Sequence, residues 1–524
     1  MTNLTVAMRL NLRLNYRGLI AAMIAVIGCM YAGVRGLDKM YPTAQERATY
    51  ASIANTLTSQ QALQGPPTAL NTLGGIAAFE VGWYVSIAVA LVNIIVVVRN
   101  TRAQEAWGRL ELLRAGRFGA HANSVAVLIV SFLTNVIVGV GSALALIVGG
   151  ADSGGAVAFG VAFACIGIVF AAIALVAAQL TEHARGAYGI ACGVLGLAYV
   201  LRALGDTVDS DVLRLLSPLG WAQFIHPFGQ VQLWPILLCA LASGALFLLA
   251  IRIEQIRDYD AGLFRAPPGA PAAGPLTRTA LGMVVRAQRA GLAMWVAALF
   301  GLGLGFGAAA HDAGEVAQGT QGMLNLLAGF NVDVVDGFLA MSTLLLTLAI
   351  AGSTVVGVLQ IRSEELAGRA DLLLSGTLPK WRFVAMHLAY ALGSAVVLLA
   401  VTGLGLGTAH ALRTGDPGQV SRLLGAALAQ LPACIFLAGL GVFLVGLLPR
   451  ITWLAWVVLA ESAVVSILGP SMKLSASTMN VSVFNHVSHL PGVSIDARSS
   501  LALTAAGALL ALLGAAGFVR RDLD

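Results

Sequence analysis

The stretch Arg102-Ala-Gln-Glu105-Ala-Trp107-Gly108-Arg109-Leu-Glu111-Leu-Leu lies between two long apolar runs. It returns 260 residues later as Arg362-Ser-Glu-Glu365-Leu-Ala-Gly368-Arg369-Ala-Asp371-Leu-Leu. Arg, Glu, Gly and Arg fall at matched places with no gap, followed in each copy by an acid and a Leu pair. Two copies of one string predict one structural job done twice.

Working outward, the 524 residues are 58% hydrophobic and 11% charged, with mean hydropathy +0.85. A soluble domain is about one quarter charged, so the fold class expected is an all-α polytopic membrane protein. Runs of about 20 apolar residues cross the hydrocarbon core as helices. Such runs cover roughly 18–35, 75–98, 122–148, 155–180, 186–204, 233–252, 291–310, 338–360, 383–409, 423–448, 451–469 and 499–519. These are about twelve spans, read as two parallel six-helix repeats. The first transmembrane half is 1–260, a Pro/Gly-rich linker is 261–276, and the second half is 277–524.

With the N-terminus inside, 22 of the 31 lysines and arginines lie on the cytoplasmic side, as the positive-inside bias requires. Both termini and both copies of the motif are then cytoplasmic. The net charge of +6 reflects this topology. The bilayer is the expected partner, and no nucleic acid is. Arg9, Arg13 and Arg17 precede the first span, and Arg286 and Arg289 precede the seventh. Met8 to Arg17 alternate apolar and polar almost strictly, a strand signal, while Arg9, Arg13 and Arg17 also share one helical stripe. The helical spacing of 281–292 favours a short amphipathic helix on the cytoplasmic surface in both halves. The first span is read as retained rather than cleaved.

Cys29, Cys165, Cys192, Cys239 and Cys434 lie singly in apolar runs, so neither disulfides nor a zinc site is expected. His486 and His489 have no further ligand nearby, and no metal is expected there. Pro432 reads as a tolerated kink. The glycines of 301–307 and 403–407 read as close helix packing.

Within the repeated motif, Ala103, Ala106, Trp107, Leu110 and Leu113 share a helical face, as do Ser363, Leu366, Ala367, Ala370 and Leu373. Glu105 with Arg109, and Glu365 with Arg369, are expected as i,i+4 ion pairs. On an exposed helix each contributes about 0.2–0.5 kcal/mol. One reading is a surface helix held by ordinary ion pairs; the other is a docking helix moved by a cytoplasmic partner.

The three lysines, Lys39, Lys380 and Lys473, follow no phosphate-cradling glycine loop. The chain also lacks HExxH and a nucleophile elbow. It is therefore read as no enzyme, and any nucleotide hydrolysis must come from another chain. Two acids fall in apolar spans, Glu80 and Glu461, and such groups are candidate pathway residues. The plainer readings are a Glu80 that reaches the outer interface and a Glu461 paired with Arg202. Neither position is duplicated; Ala340 matches Glu80.

The succession of basic helix, span, outer loop, span, Glu-bearing cytoplasmic helix, four more spans and a closing Arg-Asp (Arg257-Asp258, Arg521-Asp522) resembles the membrane subunits of type 2 ABC exporters. Two such units in one chain, with the doubled R-x-x-E-x-x-G-R motif and the outer Ser217-Pro-Leu-Gly-Trp221 segment, resemble the actinobacterial polyketide-antibiotic exporter permeases of the tetronasin-resistance group. The second half has Ser482-Val-Phe-Asn-His486 at the outer position, with Val483 in place of Pro218.

The resemblance implies two copies of a cytoplasmic ATP-binding subunit, with ATP and Mg held by those subunits and no cofactor on this chain. Arg102, Glu105, Trp107, Gly108, Arg109, Arg362, Glu365, Gly368 and Arg369 would receive them. The second, fifth, eighth and eleventh helices would line a pathway for a hydrophobic drug or polyketide-like substrate, with Glu80 and Glu461 on it. The alternative is an ion-driven multidrug transporter of the major facilitator type, whose corresponding loop is shorter.

Overall fold

In hydrocarbon a backbone must satisfy its own N–H and C=O groups, and a helix does so within one segment. The computed structural model describes residues 3–55, 61, 64–114, 119, 121–258, 261–264, 272, 274, 276–318, 334–468, 475–488, 490–491 and 496–522, and every regular element among them is helical. Among the described residues, eleven helices are long and apolar enough to cross a membrane. The eleventh expected span is a shorter apolar helix, Leu454–Leu468. This is an all-α polytopic membrane protein. It divides into two compact units, Met1–Gly269 and Ala270–Asp524.

In the first unit the long elements are α1 (Leu4–Met40), α2 (Ala44–Ala54), α3 (Leu73–Glu80) and α4 (Gly82–Asn100), then the short α5 (Arg102–Ala106) and α6 (Arg109–Arg114). They are followed by α7 (Ala122–Val148), α8 (Ser153–Leu180), α9 (Ala184–Thr207), α10 (Asp211–Leu215), α11 (Pro218–Gln223) and α12 (Trp234–Ile256). The basic stretch and the first span are not separate: α1 runs through both. Arg9, Arg13 and Arg17 stay exposed on one face while Ala7, Asn11, Asn15 and Leu19 are buried on another. One helix meets both demands, so no break is needed. The expected second span does break, at Val81, between α3 and α4.

The core of this unit forms around α8, which packs against α4, α7, α9 and α12. Asparagines staple the helices around it. Asn93 of α4 and Asn135 of α7 exchange two hydrogen bonds of 2.9 Å. Asn15 donates to Asn100 Oδ1 at 2.5 Å, and Asn123 donates to the Asn100 carbonyl at 2.8 Å. Interhelical bonds of this kind contribute about 0.6 kcal/mol each within a membrane. Where α7 crosses α8, a Cβ added to Gly139 would lie 2.6 Å from the Gly160 carbonyl oxygen.

The second unit comprises α13 (Ala280–Gln318), α14 (Val334–Leu366), α15 (Arg369–Leu374), α16 (Lys380–Thr414), α17 (Gly418–Leu428), α18 (Leu431–Leu447), α19 (Leu454–Leu468), α20 (Ala476–Met479) and α21 (Ala497–Arg520). Its basic stretch is likewise continuous with the seventh span in α13. The tenth expected span is two helices, α17 and α18, with Pro432 in the first turn of α18, where a missing N–H costs nothing.

Contact here is made through glycine. Gly303 and Gly307 of α13 meet the backbone of α16, and Gly439 and Gly446 of α18 meet Gly507 and Gly514 of α21. Gly403 meets Leu424 at the position 264 residues after the Gly139–Gly160 crossing, so the same crossing recurs.

The segment from 261 was expected to be a solvated linker throughout. Its first four residues instead hold the end of α8: Leu263 N–H donates to the Gln179 carbonyl at 3.1 Å and Phe264 N–H to that of Leu180 at 3.0 Å. The terminal carbonyls of a helix lack intrahelical partners, and the chain satisfies them here.

A Cβ at Gly446 would lie 1.9 Å from the Gly514 carbonyl oxygen, and one at Gly439 lies 2.0 Å from that of Gly507. Gly446→Val and Gly439→Val should each destabilise the protein by about 1–3 kcal/mol. Gly425→Val, at a site with open space, should not. Thermal unfolding of detergent-purified variants reads the difference; equal midpoints for all three would contradict the crossing.

Candidate functional site

Each copy of the duplicated motif forms an elbow. In the first, α4 leads through Thr101 into α5, and the chain turns at Gly108 with φ +67° before α6. In the second, α14 runs to Leu366 and turns at Gly368 with φ +69° before α15. Both turns close with the glycine N–H donating to the carbonyl of the motif glutamate at 2.9 Å. Nothing crowds a Cβ at either glycine, so the left-handed backbone alone demands it.

The turn overturns one expectation. Glu105 and Arg109, and Glu365 and Arg369, do not form i,i+4 pairs, because the helix stops between the members of each pair. Arg109 instead lies over the Trp107 ring at 4.9 Å and reaches Gln104 Oε1 at 3.4 Å. Arg369 pairs with Glu364 at 2.5 Å. The single amphipathic helix expected over each motif is broken at the glycine, into the short α5 and α6 in the first copy and into the end of α14 and the short α15 in the second.

The motif glutamates turn inward. Glu105 is 6% exposed and Glu365 is 4% exposed, burial that requires compensation of their charge. Glu105 is paired with Arg102 at 2.9 Å. It also accepts both arms of the Arg257 guanidinium, Nη1 to Oε1 and Nη2 to Oε2, each at 2.8 Å. Arg257 further donates to Gln179 Oε1 at 2.7 Å and to the Ala261 carbonyl at 2.8 Å.

In the second unit Glu365 pairs with Arg362 at 2.8 Å and takes Arg521 Nη2 on both oxygens at 2.7 Å. Lys380 Nζ donates to the Arg521 carbonyl at 2.6 Å. Each half thus ties the end of its second span to the end of its last. Arg257 and Arg521, visible in sequence as a repeated ending, are the residues that motif reading missed as partners. Their recurrence as Arg-Asp at the end of both halves was the signal.

The outward side of the elbows is apolar: Trp107 is 57% exposed, Leu366 71% and Leu372 77%. At the opposite end of the spans the two serine segments are also equivalent. Ser217 Oγ donates to the Ala198 carbonyl at 2.6 Å and caps α11. Ser482 Oγ donates to the Ser462 carbonyl at 3.1 Å and caps a short 3-10 turn, Val483–His486. Pro218 and Val483 therefore occupy the same place after the same cap.

The two acids expected within spans, Glu80 and Glu461, are placed differently from one another. Glu80 closes α3 rather than lying within a span, and it accepts the Tyr50 hydroxyl and Gln64 Nε2, the latter at 3.2 Å. Glu461 lies half-buried on α19, with Ser462 Oγ at 3.3 Å from its carboxylate. Arg202, weighed from sequence as its partner, pairs within its own helix with Asp206 at 3.4 Å and lies over the Tyr199 ring. His486 Nδ1 is 3.0 Å from the Ser482 carbonyl, and His489 lies outside the described residues.

A multi-pass helical protein in two units, with matched internal latches at one end and matched caps at the other, has the build of a transport permease. Residues 277–519 match the family described as multidrug efflux system permease Rv1217c, C-terminal domain. Over 493 residues, 94% of this chain and 89% of the other, it is 34% identical to the multidrug efflux system permease protein Rv1217c of Mycobacterium tuberculosis. The chain belongs to this family of multidrug efflux permeases.

Removing one partner of a buried charge pair strands the other, at about 3–5 kcal/mol. Arg257→Met and Glu105→Gln should each lower stability by that order. The double variant should lose clearly less than the sum, a coupling read by thermal unfolding. Arg109→Ala should cost under about 1 kcal/mol, since its contacts are exposed. Additivity of the first two, or a larger loss at Arg109, would contradict the latch.

Proposed function

We propose that this chain is the membrane subunit of an ATP-driven exporter in the bacterial cytoplasmic membrane, expelling hydrophobic or amphiphilic compounds of the polyketide-antibiotic type. Two copies of a cytoplasmic ATP-binding subunit dock on the elbows at Trp107 and Leu366 and supply ATP and Mg. The observation that carries this reading is the latch. A force on an elbow's exposed apolar face passes through Glu105 to the end of α12, and through Glu365 to the end of α21, without a flexible joint between.

Coupling requires that each state of the partner favour a different state of the permease. A rigid elbow makes that differential contact mechanical rather than local. Glu105 and Glu365 then act as positioning residues facing inward, while the partner meets Trp107, Leu366 and Leu372. Arg102, Gly108, Arg109, Arg362, Gly368 and Arg369 shape that surface. Glu80 and Glu461 belong to the substrate route. Both termini are cytoplasmic in this arrangement.

The double variant Trp107→Arg, Leu366→Arg places charge on the docking faces while leaving both latches intact. It should abolish co-purification of an ATP-binding subunit and reduce drug export at least about tenfold, with normal amounts of permease in the membrane. Export that survives this change, or that persists without any ATPase and follows the proton gradient, would favour an ion-driven carrier instead.

A further inference from the structure

The first unit contains a cavity that the latch and elbow do not explain. It lies at the end of the spans away from the elbow, between α3, α4, α8, α9, α11 and the segment around Gln64, with a volume of about 90 Å³. Phe159, Phe163 and Ile166 of α8 form an apolar wall, and Trp83 of α4 lines the cavity opposite. Three polar atoms of its lining residues are buried with no hydrogen-bond partner: Trp83 Nε1, Gln64 Oε1 and Gln223 Oε1. Trp83 itself is only 8% exposed. Buried polar groups are ordinarily satisfied, so three at one cavity call for a ligand.

Their chemistry states what that ligand offers. The amide nitrogen of Gln64 faces the Glu80 carboxyl, at 3.2 Å, and that of Gln223 faces the Asp206 carboxyl, at 3.5 Å. Both amide oxygens are thereby left as acceptors, while the indole N–H is a donor. Gly65, at φ +109°, lets Gln223 come this close, since a Cβ there would lie 2.3 Å from its Nε2. The one cation of the lining, Arg202, is paired with Asp206, which also takes Arg214 at 2.9 Å. The partnerless buried atoms of the lining are thus one donor and two acceptors beside an apolar wall, and the hydroxyls of Thr68, Ser86 and Tyr199 complete its polar part.

We infer that this cavity binds the hydroxylated end of an uncharged apolar compound. A hydroxyl both donates and accepts, so it can take the indole N–H and give its own proton to a glutamine oxygen. The ring or chain beside it packs on Phe159 and Phe163. Glu80 acts one step back, as the group that orients Gln64. The inference names the ligand class for the efflux reading and rests on that reading only for the ligand's fate.

Bromine quenches tryptophan on contact, so the probes are para-bromophenol and bromobenzene, added to the full chain in lipid nanodiscs and compared at equal concentration in the lipid. Trp83 emission should be quenched saturably, with bromophenol favoured about tenfold, the scale of one or two hydrogen bonds. Trp83→Phe should remove the saturable component.

Ser86→Phe fills the cavity from α4 and breaks no tertiary bond, because Ser86 Oγ bonds only its own helix at Gly82. It should abolish saturation while leaving the thermal midpoint near that of the parent. Ala162→Phe, from α8, should do the same. Equal, non-saturable quenching by both probes, or saturation that survives both fillings, would overturn the inference. Saturable binding without ATPase-dependent export would sink the efflux reading alone; export without saturable quenching would sink this inference alone.

Discussion

A carboxylate buried at the end of a membrane span is the constraint on which the arrangement of each half depends. Glu105 and Glu365 cannot remain charged there without cations, and one local arginine does not close the site. The second cation comes from the end of the last span of the same half, 152 residues away for Arg257 and 156 for Arg521. Six spans are thereby closed into a unit by a contact at one end. The bidentate geometry at Glu105 adds direction as well as charge, since two parallel N–H bonds fix the planes of both groups.

The halves share this latch, the serine cap and one close backbone crossing, Gly139–Gly160 and Gly403–Leu424, yet differ in what else joins their spans. The first uses asparagine pairs among α1, α4 and α7, which need side-chain volume between the helices. The second brings backbones together at Gly439 with Gly507 and Gly446 with Gly514, where no side chain fits. Hydrophobic attraction between helices is weak in lipid, so either hydrogen bonds or close van der Waals packing must supply association. The volume kept open in the first half is consistent with its cavity beside Trp83. The duplicated features are the latch at one end of each half and the serine cap at the other. The features that differ, Glu80, Glu461 and the cavity, are where a substrate would be told apart.

Much was legible in the residues. Composition and apolar run length identified a polytopic helical membrane protein, because hydrocarbon leaves the backbone few alternatives. The repeat located both elbows, and Gly108 and Gly368 stood in matched places. What misled was helical spacing applied across those glycines, which made Glu105–Arg109 and Glu365–Arg369 look like pairs. A positive φ at one residue redirects the following arm, and spacing alone does not report that angle. The alternation of Met8 to Arg17 hides the helix there, because one helix, α1, carries an arginine face and a buried face together.

The sequence by itself determined the class and the doubling, and it located both elbows, since these follow from hydropathy and from recurrence. Only the tertiary structure decided who pairs with whom. Arg257 with Glu105 and Arg521 with Glu365 are contacts closed across a whole repeat. The orientation of Gln64 and Gln223 likewise depends on carboxylates from Glu80 and Asp206 that approach through folding. Partners distant along the chain are chosen by packing and charge compensation in three dimensions, and no local pattern encodes that choice.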